Sequence, residues 1–193
     1  MVSYPSSNPG FGKVTMADIQ ESGIIRGVRR VRLAAHADER GAFLETFRQA
    51  WFPDWEVAQA NCSRSRENVL RGLHFHRRQI DYWFVAAGHI RVGLADLREG
   101  SPTQGGTEVL EMSENDPIAL FIPPGVAHGY YAPVPSTLIY LVNRTYDPDD
   151  ELGVAWDDKD LGIPWGATDP VLSPRDRNNP RLTEIPASER PHW

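Results

Sequence analysis

The chain has 193 residues, 40% of them apolar, and a net charge of −6. That is ordinary for one soluble domain spanning 1–193, and the negative balance opposes nucleic-acid binding by bulk electrostatics. The one cysteine, Cys62, excludes an intramolecular disulfide. No run approaches the ~20 apolar residues of a membrane helix. No basic-then-apolar signal opens the chain, so a cytoplasmic protein without a membrane partner is expected.

Residues 1–22 are polar, with Pro5, Pro9 and Gly10, and read as an arm held by something else, such as a second copy of the chain. Ile24 to Leu33 reads as a first strand pair or extended arm. Asp38-Glu39-Arg40-Gly41 is a turn, and the alternating stretch Ala42 to Phe47 is a strand. Phe47 to Trp55 is expected to form a short helix broken at Pro53, and Val57 to Asn61 another strand. Val69 to Phe75, His89 to Leu97, Thr107 to Met112, Ala119 to Ile122, Gly129 to Ala132 and Thr137 to Tyr146 read as further strands. Turn residues recur every ~8–12 residues between them, which is the spacing of an all-β sandwich or barrel. From Asp147 to Trp193 the chain is acidic and rich in proline and tryptophan. It reads as irregular segments packed on the outside, with one helix start at Ser173-Pro174. There is no dinucleotide fingerprint or phosphate-binding glycine loop.

Chemistry concentrates in two places. In Val69 to His76, side-chain alternation sends His74 and His76 to the same face of a strand. Two imidazoles on one strand face are costly to bury without a task. Asp81 follows five residues after His76, and Pro123-Pro124-Gly125-Val126-Ala127-His128 lies downstream. Together these form the two-part signature of a cupin, a mainly β jelly-roll barrel whose strands point side chains into a lumen, here with short peripheral helices.

The chain also resembles the dTDP-4-dehydrorhamnose 3,5-epimerases of the cupin superfamily. The residues that carry the likeness run from about Asp38 to Asp176. They are Asp38-Glu39-Arg40-Gly41 with Glu45, then Gln59-x-Asn61-x-Ser63, V-L-R-G-L-H-F at 69–75 and D-L-R-E-G-S-P-T at 96–103. The likeness continues through I-P-P-G-V-A-H-G at 122–129, Tyr140 with Tyr146-Asp147-Pro148, E-x-G-V-x-W-x-D from Glu151 and L-S-P-R-D at 172–176. The resemblance implies a homodimer acting on a nucleotide-linked 4-keto-6-deoxyhexose, with no cofactor and no metal. It makes His74 the general base, Tyr140 the general acid and Asp176 the carboxylate that orients the base. It puts Arg40, Glu45, Gln59, Asn61, Arg71, His128, Glu151 and Arg175 on substrate-contact positions, and Tyr146 on the pocket wall.

Two positions depart from the family's pattern. His76 stands where members usually carry Gln, and Asp81 where they carry Lys. The same departures complete a second pattern, since His74, His76, Asp81 and His128 are a donor set for Fe, Mn, Ni or Zn. The alternatives to an epimerase are therefore a metal-dependent cupin enzyme and a sugar-nucleotide-binding module without activity. A further expectation is that Asp81 pairs with Arg77, Arg78 or His76 across the turn.

Overall fold

Period-two alternation along the chain becomes two antiparallel sheets packed face to face. The computed structural model describes residues 18–193; the arm assigned to 1–22 lies mostly outside them. Thirteen strands follow in order: β1 (Asp18–Glu21), β2 (Arg29–Arg32), β3 (Ala35–Asp38), β4 (Gly41–Leu44), β5 (Gln59–Ser65), β6 (Val69–Phe75), β7 (Asp81–Ala87), β8 (His89–Asp96), β9 (Thr107–Ser113), β10 (Ile118–Ile122), β11 (Val126–Ala132), β12 (Ser136–Val142) and β13 (Leu152–Gly153). One sheet has the order β1-β2-β10-β7-β12-β5 and the other β13-β6-β11-β8-β9, while β3 and β4 stand apart as a hairpin. The jelly-roll barrel is mainly β, as expected. It closes by packing between two open sheets rather than by continuous hydrogen bonding.

Three apolar layers hold it together. The inner one joins Trp83, Val85, Leu120, Ile122 and Leu138 of the first sheet to Ile90, Val92, Leu94, Met112, Val126 and Tyr130 of the second. A second layer packs Leu70, Leu73, Phe75, Ala95 and Ala127 against Val154, Leu161, Ile163 and Trp165 of the C-terminal segment. A third packs Val31, Tyr82, Ala119 and Phe121 against Phe52 and Trp55. The central strands are thus buried on both faces, which is why β7 reads Asp-Tyr-Trp-Phe-Val-Ala-Ala with little polar alternation. Gly93 shows how closely the outer layer approaches, because a Cβ there would lie 2.6 Å from the Trp165 ring.

Several boundaries differ from the sequence reading. Phe47 to Trp55 holds only a three-residue 3-10 turn, Gln49–Trp51, because its aromatic residues are drawn onto the sheet instead of stacking along a helix. β5 starts at Gln59 and runs on to Ser65, paired throughout with β12. β12 ends at Val142, four residues short of Tyr146. The C-terminal helix start is found where proline placed it: α1 spans Pro174–Arg177, and Ser173 Oγ accepts from the Asp176 N–H at 3.0 Å.

Candidate active site

A cavity of about 190 Å³ opens at the end of the barrel where β6 ends and β5, β7 and β11 begin. That volume suits a single sugar ring; sites that enclose a whole drug-sized ligand run to ~300–1,000 Å³. Alternation on β5 turns Gln59, Asn61 and Ser63 inward and Ala60, Cys62 and Arg64 outward. β12 supplies Leu138, Tyr140 and Val142, and β7 supplies Asp81 and Trp83.

β6 is less regular. Arg71, His74 and His76 all line the cavity, although strict alternation would put Arg71 opposite the two histidines. The pairing with β11 slips between His128↔His74 and Tyr130↔Arg71, so β6 carries one extra residue there. This bulge returns Arg71 to the inner face. It is made at Gly72, whose φ is +118° and where a Cβ would lie 2.7 Å from the Gly129 Cα.

His74 is one-quarter exposed, and its Nε2 lies 2.6 Å from Asp176 Oδ1, 102 residues downstream. The sequence reading expects contact between these two residues, and the fold provides it. Burial alone would raise the Asp176 pKa. The His74 hydrogen bond and charge, with the Ser173 hydroxyl and the Gly72 N–H, outweigh burial and hold it below the ordinary carboxylate value. The carboxylate accepts from Nε2–H and leaves the lone pair on Nδ1. Glu151 Oε1 lies 3.9 Å from that nitrogen, and Arg175 Nη1 donates to the same oxygen at 2.8 Å.

Tyr140 is half-buried. Burial first, then the negative charges of Asp81 and Glu151, raise its pKa, so the phenol keeps its proton. His76 and His128 are buried deeper. His76 Nδ1–H donates to the Asp150 carbonyl at 2.7 Å, and His128 Nδ1–H to the Val126 carbonyl at 2.9 Å. Burial lowers the His128 pKa to about 4, with Asp81 opposing and His76 adding to the shift, so its imidazole is neutral at pH 7.

Asp81 is buried and accepts from Gln79 Nε2 at 2.8 Å and Trp83 Nε1 at 3.0 Å. Of the three partners expected across the turn, the two arginines are not found and His76 approaches only to ion-pair distance. Arg77 and Arg78 turn outward to Asp147, Asp149 and Asp150, and His76 Nε2 stays 3.9 Å away. The sequence reading missed Gln79. A polar residue in a turn after two arginines reads as solvated, and only the fold aims it inward.

The remaining residues divide. Gln59, Asn61, Arg71, His128, Tyr146 and Glu151 line the cavity with His74 and Tyr140. Arg175 reaches it only through Glu151. Arg40 and Glu45 do not reach it within one chain; they bond to Asp38 and Arg48.

A dTDP-4-dehydrorhamnose 3,5-epimerase family model matches residues 23–184. The spore coat polysaccharide biosynthesis protein SpsL of Bacillus subtilis is 42% identical over 146 residues, 74% of this chain and 97% of that protein. The dTDP-4-dehydrorhamnose 3,5-epimerase of Methanothermobacter thermautotrophicus is 38% identical over 161 residues, 78% of this chain and 87% of that one. The crystal structure of the Legionella pneumophila dTDP-6-deoxy-D-glucose-3,5-epimerase, solved with dTDP-4-keto-L-rhamnose, superposes with a TM-score of 0.85 at 30% identity, covering 92% of this chain and 98% of that one. The histidine–aspartate pair that shares a cavity with a tyrosine inside a β-barrel is thus found on a chain that belongs to the dTDP-4-dehydrorhamnose 3,5-epimerase family.

Proposed function

We propose that the protein inverts C3, C5 or both of a dTDP-linked 4-keto-6-deoxyhexose. The observation that carries the reading is the His74–Asp176 contact of 2.6 Å in one cavity with a protonated Tyr140. A hydrogen on a carbon beside a ketone leaves as a proton once a base near neutral pKa reaches it. His74 Nδ1 takes that proton, and the C–H electrons move into the enolate, with charge on the ketone oxygen. Asp176 holds the imidazole in the required tautomer and stabilises the imidazolium that forms. Tyr140 delivers a proton to the carbon from the opposite side, which inverts the centre, and solvent restores both groups. Arg71 is the donor for the ketone end of the sugar, where the neutral His128 is a contact, while Gln59, Asn61 and Tyr146 line the side of the cavity reached by the nucleotide. Guanidinium groups suit the diphosphate through bidentate contacts.

Arg40, Glu45 and Arg175 belong to the same proposal as substrate contacts. Arg40 sits in the turn of the β3–β4 hairpin and Glu45 directly follows it, and the hairpin's Phe43 is 69% exposed. The working unit inferred here is a homodimer of one-domain chains in which a second copy seats that hairpin beside the cavity. The free Cys62 suits the reducing cytoplasm, and no described helix is long and apolar enough to cross a membrane.

The test is solvent-deuterium incorporation into dTDP-4-keto-6-deoxyglucose, followed by proton NMR. Wild type should exchange at C3, C5 or both. His74→Asn should lose about 10²–10⁴-fold in exchange rate with binding retained within several-fold. Exchange at the wild-type rate in that variant would remove His74 from the base role.

A further inference from the structure

At the buried end of the cavity stands a carboxylate without a cation. Asp81 receives hydrogen bonds only from the neutral Gln79 amide and Trp83 indole, and among the described residues no Lys or Arg pairs with it. A buried carboxylate in that position is costly unless positive charge reaches it. Two imidazoles flank it. His76 Nε2 lies 3.9 Å from one carboxylate oxygen and His128 Nε2 3.9 Å from the other. Both rings spend their Nδ1–H on backbone carbonyls, which fixes the tautomer and leaves each Nε2 lone pair facing the cavity. His128 is 4% exposed, and among the described residues its Nε2 has no hydrogen-bond partner.

We infer that His76 Nε2, His128 Nε2 and Asp81 form a site for one divalent first-row transition-metal ion. The three ligand atoms lie within 4.8 Å of one another. Bonds of ~2.0–2.1 Å from a shared ion would hold such atoms about 3–4 Å apart, so small side-chain rotations complete the set. Two imidazoles and one carboxylate suit Zn²⁺, Fe²⁺ or Ni²⁺, whereas Mg²⁺ and Ca²⁺ prefer oxygen. The Gln79 amide now donates to both His76 Nε2, at 3.1 Å, and Asp81 Oδ1. Gln79 lies in the turn between β6 and β7, so an ion can displace its NH2 group, and the amide oxygen can then turn inward as a fourth donor.

The ion would also change the charge of the reaction site. The lining holds two carboxylates, Asp81 and Glu151, against one guanidinium, Arg71, and Arg71 is already bonded to Ser65 Oγ and the Arg64 carbonyl. A divalent ion between His76 and His128 reverses that balance where an enolate develops, as a Lewis acid does. This role rests on the epimerase reading, whereas the binding of the ion does not.

The experiment begins with elemental analysis of protein purified without chelator. Metal-free protein is then titrated with Zn²⁺ and, separately, with Co²⁺, whose visible absorption reports its ligands. About one equivalent should bind. His76→Gln, His128→Gln and Asp81→Asn are made singly, so that any one folded variant suffices, and each should weaken binding at least ~10-fold. His89→Gln removes a half-buried histidine paired with Glu111 outside the cavity and should leave metal binding unchanged. No binding at 100-micromolar-scale metal, or equal binding by wild type and the folded triad variants, would overturn the site. Deuterium exchange is measured on metal-free and reloaded protein, and should fall on removal and recover on reloading. Full-rate exchange without metal would overturn the charge role and leave the epimerase reading standing. Stoichiometric metal with no exchange in either form would sink the epimerase reading and leave the site.

Discussion

Tyr140 and His74 are assigned different halves of one inversion, and substitution can separate them. Tyr140 holds its proton because its surroundings disfavour the phenolate. Tyr140→Phe keeps the ring and removes only the donor. Deuterium should still enter the carbon next to the ketone, within ~10-fold of the wild-type rate, because His74 can return a solvent-exchanged proton to the face it came from. Inverted product should fall by about 10²–10⁴-fold. Equal loss of exchange and inversion, read from one NMR time course, would place Tyr140 elsewhere in the mechanism. At this scale the sequence is informative about residue types and much less so about their partners. His74, His76 and His128 stand out because imidazoles on buried strands are costly. Asp176 is visible only through the family likeness, since nothing local ties it to a histidine 102 residues away. The donors that Asp81 finds, Gln79 and Trp83, depend on the direction of a turn.

Among the elements, β6 carries His74, and its geometry departs from the simple rule. Alternation explains why His74 and His76 face inward and Leu73 and Phe75 outward. Without the bulge it would turn Arg71 away. Gly72→Ala should therefore do two things. The added Cβ meets Gly129 and the His128 carbonyl, and a positive φ disfavours a side chain, so stability should fall by about 1–3 kcal/mol in urea melts. If the bulge shifts to relieve the clash, Arg71 moves too, and substrate affinity should drop along with stability. A fully stable variant with unchanged affinity would contradict the bulge's assigned role. The strand pattern is legible in the sequence because burial on a pleated sheet writes itself every second residue. The bulge is not, because one extra residue in a strand leaves no compositional mark beyond a glycine. The stretch 47–55 misleads for a related reason: aromatic spacing that suits a helix also suits residues draped over a sheet.

At the scale of the whole molecule, three apolar layers share two sheets, and the C-terminal segment forms the outside of one layer while supplying Asp176 to the cavity. Barrel and tail are therefore expected to unfold together. Among the described residues β1 lies at the edge of its sheet, bonded on one side only, and the hairpin β3–β4 is hydrogen-bonded to neither large sheet. Light scattering should give a dimer at micromolar concentration, and removal of residues 1–17 should weaken it. A monomeric full-length chain would contradict the pairing proposed for the hairpin. This assembly reading starts from a polar arm in the sequence, while the exposed hairpin that supports it is evident only in three dimensions.

The inner apolar layer has one more consequence. Trp83, Tyr130 and Leu138 line the cavity and belong to the packed core behind it, so the core closes the chamber at that end. Whatever enters sugar-first must back out the way it came. A half-converted sugar therefore faces a kinetic choice between leaving and turning over within the chamber to offer its second carbon to the same base. On the proposed reaction, residence time at the mouth then bears on whether one centre or two is inverted.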